Sequence, residues 1–302
     1  MKLGISCRAI VNKFGYERGF ALCKESGFDT VDLGLGVYGK RDCPPDIYSA
    51  SADEFEAYFS GIKALADKAG IEIASTHGRV LTYTNEEAQC EYIRWVSERD
   101  LAATRILGAP TCVIHPIIMS YWPDRFTDRE FLFEINTGMY RSLLPFAEQN
   151  CVKIATETMG KTVIGDQKYV SFFARPEDIL RQIEILDSPW FTVCVDTGHT
   201  NEAHYHGAVS AGDMIRAMGS NVTMLHLHDN NGTVDLHIPP LCDKRGGVDW
   251  EDVFAALEEV GYTGSYNFET KMALYGDVLE DATRFYGKYL RYFIENKGRT
   301  AG

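Results

Sequence analysis

The chain has 302 residues, 45% of them hydrophobic and 24% charged, with a formal net charge of -13. Such a composition belongs to a globular chain with a large core and excludes the disordered and fibrous classes. The acidic balance disfavours partners captured by long-range attraction, whether nucleic acid or acidic membrane.

In chain order, short β-type runs alternate with helical patterns. Lys2 to Cys7 is the first run, followed by a helix over Tyr16 to Ser26 that Gly27 closes. Thr30 to Leu35 is the second. After a Gly- and Pro-bearing loop, Ser51 and Glu54 have capping-box spacing at the head of a helix over Ala52 to Ala69. Ile71 to Ser75 delivers His77, and a long helix over Glu86 to Leu107 ends at Gly108. Thr111 to Ile114 runs into His115-Pro116, with a helix over Asp128 to Asn150 beyond it. Val152 to Thr156 ends at Glu157. A helix over Pro176 to Leu186 precedes Phe191 to Val195, which ends in Asp196-Thr197-Gly198-His199. A weaker helix over Ala208 to Met218 leads to the strand at Met224, where His226 and His228 share one face and Leu225 and Leu227 the other. Asp249 is the expected N-cap of a helix over Trp250 to Val260. Ser265 to Phe268 ends at Glu269, and Val278 to Glu295 is the last helix.

No Pro/Gly/Ser-rich linker or charge block divides these units, so residues 1–302 read as a single domain. Eight strand-helix units predict an α/β fold, a (β/α)8 TIM barrel with its active site at the C-terminal ends of the strands. An open doubly wound sheet is the alternative, but no G-x-G-x-x-G follows the first strand. The eight cysteines form no close C-x-x-C pair and read as reduced thiols. Met1 to Ile10 lacks the apolar core of a signal peptide, and no run approaches the roughly 18 apolar residues of a membrane span. A cytoplasmic protein is the expectation.

The chemistry-bearing residues sit at the strand ends. His77, His115, Glu157, Asp196, His226 and Glu269 each fall at the last residue of an apolar run or just past it, with His199, Asp235 and His237 nearby. A barrel brings these ends to one face. Carboxylates confined together raise one another's pKa values unless a cation neutralises them, and a divalent metal would do so.

These motifs, together with Asn267-Phe268-Glu269, resemble the xylose isomerase-like TIM barrels over almost the whole chain. That superfamily includes sugar phosphate isomerases/epimerases, inosose dehydratase and the endonuclease IV type of DNA repair enzyme. The isomerase branch implies one divalent ion, Mn²⁺ first with Zn²⁺, Co²⁺ or Mg²⁺ as alternatives, held by Glu157, Asp196, His226 and Glu269. Glu157 and Glu269 would double as catalytic acid and base. The implied substrate is a small sugar or polyol ketone, with His199, His115, His77 and His228 as binding residues and Asp229 free to orient an imidazole. The arginine expected shortly after the metal histidine of ketose 3-epimerases is absent; Arg245 is the nearest one downstream.

The endonuclease branch implies a trinuclear zinc site, for which Asp235 and His237 complete the additional ligands. Few basic residues lie near the strand-end loops, so no nucleic-acid partner is expected. Dehydration of a keto-inositol, or cleavage of a C-glycoside with a small partner subunit, would begin from the same proton abstraction. A barrel that only binds a sugar has no evident need for two carboxylates. Among the loop aromatics Tyr38, Tyr83, Tyr121, Trp122, Tyr205 and Tyr275, the sequence favours Trp122, beside Pro123, as a sugar-stacking group. Packing of the barrel or burial in a homo-oligomer contact is the plainer role for each.

Overall fold

Eight apolar runs form a ring of parallel strands in the computed structural model, which describes residues 1–38, 46–80, 87–118, 123–125, 128–241 and 246–299. The first half contains β1 (Lys2–Ser6), α1 (Arg8–Glu25), β2 (Thr30–Gly34), α2 (Ala52–Ala69), β3 (Glu72–His77), α3 (Glu87–Ile106), β4 (Thr111–Val113) and α4 (Arg129–Asn150). The second half contains β5 (Lys153–Glu157), β6 (Lys161–Ile164), β7 (Gln167–Val170), α5 (Pro176–Leu186), β8 (Phe191–Asp196), α6 (Thr197–His204), α7 (Ala211–Met218), β9 (Val222–His226), α8 (Trp250–Glu259), β10 (Ser265–Phe268) and α9 (Leu279–Glu295).

The strand order is β10-β1-β2-β3-β4-β5-β8-β9. A parallel bridge between Leu227 and Phe268 joins its two ends, with Leu227 N donating to Asn267 O at 2.8 Å and Glu269 N to Leu227 O at 3.0 Å. That closure excludes the open sheet.

The strands are buried on both faces, which is why they read as nearly continuous apolar runs. Outward residues such as Ile154, Val193, Val195 and Leu225 join the large core against the helices. Val113, Ala155, Cys194 and Met224 form a separate apolar cluster. Because side chains alternate along a strand, these four point to the opposite side, into the barrel.

Helix ends follow local chemistry. The capping box of Ser51 and Glu54 heads α2, Asp128 caps α4 and Asp249 caps α8. Three features differ from expectation. The first helix begins at Arg8 and breaks at Gly15, whose φ of 75° is non-helical; the Gly in Lys-Phe-Gly hid its first segment. Asp196-Thr-Gly-His opens a short helix, α6, for which the sequence pattern assigned no element. Finally, β6 and β7 pair antiparallel outside the barrel, turning at Gly165-Asp166. Among the described residues no helix is long and apolar enough to cross a membrane.

Candidate functional site

Period-two alternation builds the site directly above the barrel's apolar interior. Val113, Ala155, Cys194 and Met224 are followed two residues later by His115, Glu157, Asp196 and His226, which therefore face the same way one layer higher. Strand register adds lateral order: Asp196 lies opposite His226, and Glu157 opposite Cys194. The resulting cleft encloses about 590 Å³, and its wall includes His77, His115, His199, His237, Glu157 and Glu269 together with Arg8, Asp32, Arg79 and Asp235.

Glu157, only 1% exposed, is the hub. Its Oε2 lies 2.8 Å from His115 Nε2 and 3.4 Å from His77 Nε2, and its Oε1 lies 3.2 Å from His226 Nδ1 and 3.4 Å from His199 Nδ1. His226 Nδ1 is also 3.3 Å from Glu269 Oε2. Asp196 accepts from the backbone N–H of His199 at 2.6 Å and faces His228 Nε2 at 3.0 Å. His228 is fully buried. Its ring stacks on His237 at 3.9 Å between centroids, and a Cβ on Gly198 would come within 1.9 Å of it. Gly198 of the Asp-Thr-Gly-His motif is therefore required by the approach of an imidazole.

Three rim histidines are held alike. The Nδ1 atoms of His77, His199 and His237 lie 2.7, 3.0 and 3.0 Å from the carbonyl oxygens of Gly78, Thr158 and Glu269. A carbonyl only accepts, so each Nδ1 carries the proton and each Nε2 is left for the site. His237 Nε2 lies 2.9 Å from Asp235 Oδ2, and His199 Nε2 lies 3.8 Å from the same oxygen.

The electrostatics favour paired charges. Burial alone would lower His77, but the hydrogen bond and charge of Glu157, with the charge of Glu269, push it up to about 9. His199 and His226 are raised in the same sense against their burial, His199 chiefly by Asp196 and Glu157, and His226 by Cys194, Glu269 and Glu157. Burial would raise Glu157, yet His115 and His226 hold it well below the usual carboxylate range. The field that retains protons on these imidazoles is also one that attracts a cation, which would compete with those protons.

The donor set fits a metal. Glu157 Oε2, despite its close approach to His115 and His77, and both ring nitrogens of His226 are buried without a well-aligned hydrogen bond. Donor atoms within 4.8 Å of one another occur in the quartet Glu157, Asp196, His226 and Glu269, and in the trios His77-His115-Glu157, His77-His226-Glu269 and His199-Asp235-His237. Imidazole and carboxylate donors of this kind suit Zn²⁺, Mn²⁺ and related divalent ions.

One expectation turns out differently. Asp229 orients no imidazole: it accepts from the N–H groups of Asn230, Leu241 and Val248 and from Trp250 Nε1 at 2.9–3.0 Å, which ties down the loop after β9. Tyr38 is buried among Tyr48, Tyr58 and Phe59, and Tyr275 bonds Tyr286, so both serve packing. Trp122, Tyr83, Tyr121 and Arg245 lie outside the described residues.

Asp32 escaped the sequence reading. It is 3% exposed, accepts from Ser75 Oγ at 2.7 Å and Ser6 Oγ at 3.1 Å, and comes within 3.9 Å of His226 Nε2. A carboxylate inside the apolar run Thr-Val-Asp-Leu was the available signal.

A closed parallel barrel carrying carboxylates and imidazoles at the C-terminal ends of its strands defines a class of (β/α)8 proteins with a polar, cation-compatible bowl. Within that class the chain belongs to the xylose isomerase-like TIM barrel family, whose sequence model matches residues 20–286. It is 30% identical over 176 residues to the uncharacterized protein y4fM of Sinorhizobium fredii, an alignment covering 58% of this chain and 51% of that protein. The chain thus spans about half the length of this curated relative.

Its fold is similar to that of the IOLI protein with a bound zinc atom, with a TM-score of 0.72 at 16% identity over 100% of both chains. It is also similar to a D-tagatose 3-epimerase-like protein, with a TM-score of 0.71 at 19% identity over 98% of this chain and 99% of that one. At these identities the likeness is one of fold.

Proposed function

We propose that the chain works as a single barrel domain that isomerises or epimerises a small sugar or sugar-like ketone with the help of one divalent metal ion. The observation that carries this reading is the quartet Glu157, Asp196, His226 and Glu269, the first three buried and Glu269 half-buried at the cleft, in which both glutamates approach His226 Nδ1, at 3.2 and 3.3 Å. The quartet would hold the ion, Mn²⁺ first and Zn²⁺, Co²⁺ or Mg²⁺ as alternatives. A bound ion supplies Lewis acidity that polarises a ketose carbonyl and hydroxyl and so acidifies the adjacent C–H.

The two glutamates divide the proton work. One carboxylate removes the proton from carbon and the other returns it, to the same carbon from the opposite face in an epimerisation or to the neighbouring carbon in an isomerisation. The Nε2 atoms of His77, His115 and His199 meet sugar hydroxyls, while His228 acts on Asp196 as a positioning residue. The similarity in fold to a D-tagatose 3-epimerase-like protein and to the zinc-bound IOLI protein supports this reading.

One observation favours a second reading. The trios His77-His115-Glu157 and His199-Asp235-His237 flank the quartet, as a multi-zinc phosphodiesterase would need. The net charge of -13, and a described cleft wall with only Arg8 and Arg79 besides its histidines, weigh against a polyanionic duplex. A ketose panel incubated with Mn²⁺-loaded protein in D₂O separates the two. The proposal expects deuterium at carbon in parallel with a new sugar, read by NMR. Exchange with no ketose, together with cleavage of abasic-site DNA, would transfer the assignment to the phosphodiesterase.

A further inference from the structure

Arg8 stands immediately after β1, at the first position of α1, and lines the cleft. Its side chain lies along the end of β2. A Cβ built on Gly34 would stand 3.2 Å from Arg8 Cδ and 3.5 Å from its Cβ, and one on Gly36 would stand 3.5 Å from Nη1. Gly34 does not have the left-handed backbone that would by itself call for glycine. The absence of a side chain there leaves room for the arginine stem.

Among the described residues the Arg8 guanidinium makes no hydrogen bond or ion pair. Several surface arginines are matched with carboxylates: Arg105 with Glu56, Arg181 with Glu130, Arg216 with Glu259 and Arg284 with Glu280. The neighbouring Arg79 is engaged with the wall, donating to Gly36 O at 3.0 Å and Tyr92 Oη at 3.3 Å. Of the two arginines on the described cleft wall, Arg8 is thus the unpaired one, with its five donors available.

From this we infer that Arg8 is a specificity-determining residue that binds an anionic group of the substrate, a phosphate monoester or a carboxylate, while the rest of the sugar reaches the strand-end bowl. A planar guanidinium matches either group with two parallel N–H···O bonds. A cleft of about 590 Å³ is of a size to take a monosaccharide carrying such a group. The inference rests on the sugar reading of the site, which it narrows to acidic sugars.

The test measures binding by calorimetry to Mn²⁺-loaded protein, using matched probes: D-fructose, D-fructose 6-phosphate and D-fructuronate. Wild-type protein is expected to prefer one of the two anions over the neutral ketose. Arg8→Gln is expected to reduce that preference roughly 10- to 100-fold, with Arg8→Lys recovering part of it. Preference for the phosphate or for the uronate identifies the anion.

An anion preference that survives in Arg8→Gln, or a wild-type preference for neutral fructose, overturns the inference even if ketoses are turned over. Arg8-dependent binding with no exchange at carbon would instead sustain it while removing the isomerase reading. A loss in Arg8→Gln confined to abasic-site duplex DNA would overturn it in favour of a nucleic-acid contact.

Discussion

Two layers of the barrel interior, one step of strand alternation apart, divide the labour of this molecule. The lower layer of Val113, Ala155, Cys194 and Met224 is apolar and fully packed. The upper layer of His115, Glu157, Asp196 and His226 leaves buried polar atoms without hydrogen bonds. The same strands supply both. What differs is what each layer gains: the lower one stabilises by removing apolar surface from water, whereas the upper one retains desolvated charges that strain the fold unless they are paired. Strand-end positions thus hold the costly layer directly above a packed apolar one.

The two layers should fail differently when mutated. Glu157→Gln and Glu269→Gln are expected to lower turnover on a responsive ketose by roughly 10²- to 10⁴-fold, with the fold retained. If both variants retained wild-type rates, the acid/base assignment would be wrong. Met224→Ala in the lower layer should do the reverse. Denaturant titration should show about 2–5 kcal/mol of lost stability, with turnover per folded molecule within tenfold of wild type. A collapse of activity at unchanged stability would break the division between the layers.

A smaller effect tests a buried acid outside the bowl. Asp100 is pushed up to about 6, mainly by burial, although it accepts from Tyr48 Oη at 2.5 Å. Its folded-state pKa lies above the unfolded value, so the native state takes up the proton. That contribution to stability is full below about pH 4 and is lost as pH rises through about 6. Asp100→Asn removes the titration, so its stability relative to wild type should rise by roughly 2 kcal/mol between pH 4 and pH 7.5. Parallel pH profiles for the two proteins would contradict the assignment.

Most of the barrel was legible because its signals are local. Caps such as Ser51 and Asp249 and strand-end breaks such as Glu157 and Asp196 each interrupt an apolar period at one position. Features set by tertiary contacts were not. Asp32 looked like part of a strand, and its role depends on Ser6 and Ser75 from neighbouring strands. Asp229 sat next to histidines in sequence, yet its partners Leu241, Val248 and Trp250 lie 12 to 21 residues away. The β6–β7 hairpin did leave a local mark, Gly165-Asp166 between β-rich tetrads, but it falls outside the strand-helix alternation. Arg8 carried no sequence signal at all, because its setting is made by two glycines of a different strand and loop.

The central claim is that the deep quartet holds one ion and that the outer trios serve the substrate. Elemental analysis of protein purified without chelator or added metal tests it most directly. The account predicts about one Mn, Co, Zn or Mg per chain, lost in His226→Ala and retained in His237→Ala. Roughly two to three zinc ions per chain, falling in both variants, would contradict it and make the nine strand-end and loop ligands a multinuclear centre.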